Sequence, residues 1–127
     1  MKILILTVFM SFNLYAEKWY ESDYVNNYCL GEIEHTLTDK ARVDCLTRTH
    51  AIEYDYSHKW AEAIGQSLYY ASATSKKAGI VLIVNSKHNG RYLKRLNDAI
   101  NMIPCKPNEC PAIKVWVINA RIQTNNN

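Results

Sequence analysis

Apolar residues recur along this chain with three different rhythms, and each rhythm predicts an element. From Glu17 to Cys29, Tyr20, Tyr24 and Tyr28 fall at every fourth position. That period predicts a short helix with one face on the core. Gly31 ends it. Glu32, Ile33 and Glu34 then alternate, which predicts a strand over Glu32 to Leu37 with Glu32 and Glu34 on one face. Thr38-Asp39-Lys40 forms a polar turn. Arg42 to Thr47 and Ala51 to Tyr56 are the second and third strands, and the three make a meander. Ser57 suits the N-cap of a helix from His58 to Thr74, with Ala61, Ile64, Leu68 and Ala71 as its apolar face. Gly65 inside it costs about 1 kcal/mol relative to alanine, which points to close packing there. Ala78 to Asn85, AGIVLIVN, is an unbroken apolar run that suits a central strand buried on both faces and parallel to a neighbour. Asn89-Gly90 starts a turn. Arg91 to Met102 is amphipathic, with Leu93, Leu96 and Ile100 inward. Ile113 to Ala120 is the last strand, and Gln123 to Asn127 a polar tail. The order predicts an α/β fold with a mixed sheet.

The strands also carry acids. Asp44 sits in the middle of ARVDCL, and Glu53 and Asp55 in AIEYDY. Alternation points Glu53 and Asp55 one way and Ile52 and Tyr54 the other. Carboxylates on adjacent strands repel unless something compensates, and a hard divalent cation such as Mg²⁺ prefers such oxygen ligands. On the helix that follows, Lys59, Glu62, Gln66 and Tyr69 or Tyr70 share a polar face at helical spacing.

At these residues the chain resembles the PD-(D/E)XK nuclease superfamily, most of all the branch with a RecB-type motif. Asp44 matches the strand Asp, Glu53 the first acid of the next strand, and Gln66 and Tyr70 the Gln-x-x-x-Tyr pair of the helix. The motif covers Ala41 to Ala71; the order of elements follows the family over most of the remainder. The resemblance implies a restriction-endonuclease-like αβββαβ core, extended by a C-terminal helix and strand. It implies an Mg²⁺- or Mn²⁺-dependent nuclease acting on nucleic acid. Asp44 and Glu53 would be the metal ligands, with Glu34 as the upstream acid and Glu21 as its rival. Gln66 and Tyr70 would support the site and contact substrate backbone. The motif's lysine position holds Asp55. In some relatives the helix supplies the lysine instead, and Lys59 is placed for that. Asp55 itself is a third ligand, a general base, or a partner for Lys59. A non-catalytic protein of the same fold, binding nucleic acid or another protein, is the alternative that Asp55 favours.

The ends and the cysteines set the compartment. Residues 1–16, MKILILTVFMSFNLYA, have the charge, apolar run and Leu14-Tyr15-Ala16 site of a secretory signal. The run is shorter than the roughly 20 residues of a membrane span; a buried N-terminal strand or an uncleaved anchor is the other reading. Cleavage leaves 17–127 as a single domain, exported to the periplasm or secreted, with no stable membrane anchor. Four cysteines in an exported domain favour disulfides. Cys105 and Cys110 bracket a Pro107-Asn108 turn, which leaves Cys29 with Cys45. Free thiols in a reducing cell are the alternative, and the spacing does not suit zinc.

Charge decides less. A net charge of +3 does not identify a nucleic-acid binder, although Lys76, Lys77, Lys87, Arg91, Lys94 and Arg95 form a basic stretch around the central strand. The four histidines have no metal-binding spacing, and there is no Gly-rich phosphate loop.

Overall fold

The computed structural model describes residues 18–85 and 89–121. The signal-like leader, Lys87, His88 and the polar tail lie outside the described residues. The elements are α1 (Glu21–Tyr28), β1 (Glu32–Thr36), β2 (Arg42–Leu46), β3 (His50–Tyr56), α2 (Trp60–Thr74), β4 (Lys77–Val84), α3 (Asn89–Ile100) and β5 (Ile113–Asn119). Short 3-10 turns cover Ser57–Lys59 and Pro107–Glu109. The five strands form one mixed sheet in the order β1-β2-β3-β4-β5. The first three are the antiparallel meander, and β4 is parallel to both β3 and β5. The α/β expectation therefore holds. Among the described residues, no helix is long and apolar enough to cross a membrane.

Alternation on β4 divides the core into two layers. Ala78, Ile80, Leu82 and Val84 pack with Ala63 of α2 and with Leu96 and Ile100 of α3. Val81 and Ile83 face the other way, onto Tyr24 and Val25 of α1 together with Ile52 and Tyr54 of β3. Burial from Ala78 to Val84 is continuous, as expected for a parallel strand covered on both faces.

Three helical expectations need correction. On α1 only Tyr24 of the three tyrosines is buried; Tyr20 and Tyr28 are exposed, and Val25 is the second core residue. A four-residue step overshoots one helical turn by about 40°, so residues spaced by four drift off a narrow contact. On α2 the helix begins at Trp60, because Ser57 is buried in the preceding 3-10 turn and makes no cap. Its buried residues are Ala63, Ser67 and Tyr70; of the expected face Ile64 and Ala71 pack partly buried on the core, while Ala61 and Leu68 are exposed. Ala63 and Ser67 are small enough to let the helix lie close to the sheet. Gly65 is on the exposed side, where an added Cβ would meet nothing within 4 Å, so close packing does not explain it. Asn89 and Gly90 form the first turn of α3 rather than a turn before it.

Both disulfides are present, Cys29–Cys45 and Cys105–Cys110, as an oxidising compartment would allow. Cys29–Cys45 ties the end of α1 to β2. Closing a loop of this length contributes about 3 kcal/mol on chain-entropy grounds. Gly31 follows in tight contact with β2: a Cβ there would lie 2.2 Å from the Leu46 carbonyl oxygen. That close approach, as well as helix termination, requires glycine at this position.

Candidate active site

The strand pair β2–β3 opens where the acids sit. Its ladder pairs Leu46 with Ala51 and Cys45 with Ile52 and goes no further. At the next step a side chain replaces the backbone: Asp44 Oδ2 accepts the Tyr54 N–H at 2.8 Å. Val43 packs with Ala51 and Tyr70, whereas Cys45 packs with Tyr24 and Ile52 in the other layer. Residues two apart in a regular strand share a face, so β2 changes its facing across Asp44. On its other side Glu34 of β1 has φ 52, an uncommon left-handed conformation for a residue with a side chain.

Glu53 and Asp55 are only 6% and 3% exposed, and alternation puts both on the face of β3 that Ala51 turns toward Tyr70 of α2. Asp44 is half-buried. The Glu53 carboxyl is pushed up to about 9, first by burial, then by Asp44 and Asp55. Asp44 and Glu53 are close enough to share a hydrogen bond, and the proton stays on Glu53. Burial also raises Asp44, opposed by the hydrogen bond from Tyr54. Asp55 is raised to about 7 by burial and by Glu21, opposed by Lys59. The buried oxygen Oε2 of Glu53 has no hydrogen-bond partner among the described residues, which is uncommon for a buried polar atom.

Lys59 supplies the positive charge. Its Nζ lies 3.2 Å from Glu21 Oε1 and 3.6 Å from Asp55 Oδ1. Glu21, hydrogen-bonded to Lys59, raises the ammonium's pKa and keeps it charged. Glu21 acts electrostatically on Asp44, Glu53 and Asp55 alike. Glu34, the expected upstream acid, stands apart from this group, and Glu21 takes its place beside Lys59. Glu34 is exposed, pairs with Arg42 at 3.3 Å, and reaches only Asp44 of the three. The sequence carries little signal for Glu21, because its position depends on how Tyr24 and the Cys29–Cys45 bridge dock α1.

Helix α2 brings Tyr70 to the acids. Tyr70 is buried beside Glu53 and Asp44, which raise its hydroxyl after burial does, and Gln66 hydrogen-bonds to it. Tyr69, by contrast, is exposed and donates to Asp39. The basic stretch is divided between two elements, with Lys87 outside the described residues. Lys76 and Lys77 lie at the start of β4, and Arg91, Lys94 and Arg95 on α3 after its end. Lys94 is already paired with Asp98 at 2.6 Å.

The oxygen donors and the orphaned Glu53 Oε2 suit a hard divalent cation. Among the described residues, no three or more His, Cys, Asp or Glu side chains converge in a metal-holding group. Mg²⁺ is commonly held by one or two carboxylates, with substrate phosphates and water completing its shell. Asp44 and Glu53 fit that arrangement. Comparison with family models, with curated proteins and with solved structures finds no match in any of the three.

Proposed function

We propose that this protein is an Mg²⁺- or Mn²⁺-dependent phosphodiester hydrolase of nucleic acid, built on a restriction-endonuclease-like core. The observation that carries this reading is Glu53. It is a buried carboxyl with an orphaned oxygen, beside Asp44, at the point where the strand pairing opens. A purely structural sheet would place an aliphatic residue there. Asp44 and Glu53 would hold the cation. When bound, it supplies Lewis-acid stabilisation of the phosphate and a more acidic water.

This chain's own residues do the rest. Lys59, fixed between Glu21 and Asp55, presents an ammonium to negative charge developing on phosphate oxygens. Asp55, raised to about 7, is matched to accept a proton near neutral pH. Tyr70 and Gln66 line the approach to Glu53 and meet the substrate backbone. Glu53 is protonated near neutrality, so holding a cation would require it to give up that proton, and affinity would rise with pH.

The test is cleavage of single- and double-stranded DNA and RNA with Mg²⁺ or Mn²⁺. Asp44→Ala and Glu53→Ala should abolish cutting while circular dichroism stays native. A second reading, a non-catalytic protein of this fold, draws on Lys59 already neutralising Asp55 and on the lack of a three-ligand group among the described residues. Binding of nucleic acid without cutting under every cation would favour it.

A further inference from the structure

Away from the acids, the sheet face under α1 is only partly covered. Tyr24 and Val25 pack over Tyr54 and Ile83. Toward the starts of the parallel strands, a cavity of about 600 Å³ remains, floored by Ile52, Val81, Trp116 and Ile118. This is within the usual size of a small-molecule site, roughly 300–1,000 Å³. Leu30 and Val117 at its margin are 97% and 47% exposed. Gly79 makes room for the indole, since a Cβ there would come 2.8 Å from the Trp116 ring.

Arg48 lines one end of the cavity, and Lys77 and Lys114 stand just beyond it in the adjoining one. Register puts His50 beside Lys77, and Gly79 beside Lys114. Lys114 Nζ is 4.9 Å from the Trp116 ring centroid, and the His50 ring 5.4 Å from it. Arg48 and His50 line both this cavity and a neighbouring one of about 560 Å³ that also holds Lys76, Lys77 and Lys114. The acid lining that second cavity is Glu109. Among the described residues, Arg48, Lys77 and Lys114 have no carboxylate partner. Burial and the charges of Lys114 and Lys77 keep His50 neutral more readily than usual.

We propose that this groove is a binding site for an amphipathic anion: an acyl chain laid along Ile52, Val81, Trp116 and Ile118, with its carboxylate among Arg48, Lys77 and Lys114. An apolar floor alone would not define the ligand. Unpaired cations at one end of it select a molecule with an apolar body and an anionic head. A nucleobase stacked on Trp116 fits less well, because Lys114 already stands over that ring. The site lies on the opposite sheet face from Glu53 and does not depend on the proposed hydrolysis.

The test is calorimetric titration with octanoate, decanoate and laurate below their micelle thresholds, against dodecanol and adenosine monophosphate. Affinity should rise about fourfold per methylene, from the transfer free energy of a buried CH₂. Dodecanol should bind at least tenfold more weakly than laurate. Lys77→Gln with Lys114→Gln should weaken laurate at least tenfold, leave dodecanol unchanged, and leave the melting temperature near native. A flat chain-length series, equal binding of dodecanol, or charge variants without effect would overturn the proposal. So would tighter binding of the nucleotide at these residues.

Discussion

Strands β3 and β4 lie side by side at the same depth and are built from opposite chemistry. In register, Glu53 faces Ile80 and Asp55 faces Leu82. Ile80 and Leu82 are fully buried, and the two acids nearly so. On β4 the residues suit the environment. On β3 two carboxyls are held where ionisation is costly, and the chain answers with a shared proton at Glu53 and an ammonium at Asp55. Packing alone would favour β4 chemistry on both strands. The contrast therefore separates a strand built for packing from one that carries the proposed site.

Crossed substitutions break the comparison most sharply. Asp44→Ala or Glu53→Ala should lower cleavage by on the order of a thousandfold or more, with little loss in denaturant midpoint for Glu53→Ala and about 1–3 kcal/mol for Asp44→Ala, which orphans the Tyr54 N–H. Leu82→Ala, at the matching depth, should cost about 2–5 kcal/mol of stability and leave the chemistry of any folded fraction intact. If both changes act alike on stability and activity, the two strands do not differ in role.

Lys59→Ala comes next. It should slow cleavage about a hundredfold while changing cation affinity little in calorimetry. If Asp55 is the proton acceptor, Asp55→Asn should be the more damaging of the two, since an amide cannot take the proton.

A smaller effect lies in pH. Glu53 and Asp55 titrate near 9 and 7 in the folded chain, above the ordinary carboxyl range of the unfolded one. Between those limits the folded state holds more protons, so stability from these two groups is fully present at low pH and declines as pH rises through about 7 and then about 9. Melting temperature should fall by several degrees, on the order of 5 °C, from pH 5 to pH 8.5, and Glu53→Gln should flatten the upper part. A profile identical in the variant would contradict the buried, protonated Glu53.

The smallest is a control on the covering helix. Gly65→Ala should stabilise by about 1 kcal/mol or less, because its Cβ points into open space, and leave cleavage unchanged. A loss of stability would mean that Gly65 serves a contact on the outer side of α2.

The order of elements, the meander and the burial of β4 on both faces were legible in the chain, and the cysteine pairing was the expected one of two open readings. These follow from local rules: side-chain periodicity, an unbroken apolar run and short cysteine spacing. The sequence also put Asp44, Glu53, Asp55 and Lys59 on adjacent elements, since strand and helix periods are fixed by backbone geometry. Tertiary structure alone decided which acid completes the group. Glu21 and Glu34 are equally acidic in the sequence, and only the docking of α1 through Tyr24 and Cys29–Cys45 brings Glu21 to Lys59. The buried side of α2 was settled in the same way. Leu68 has the greater hydrophobicity, but Ala63 and Ser67 allow closer approach to the sheet, and distance of approach is a property of the packed pair. The cationic end of the groove was equally illegible, because Arg48, Lys77 and Lys114 come from three separate segments and meet only through the register of the parallel strands.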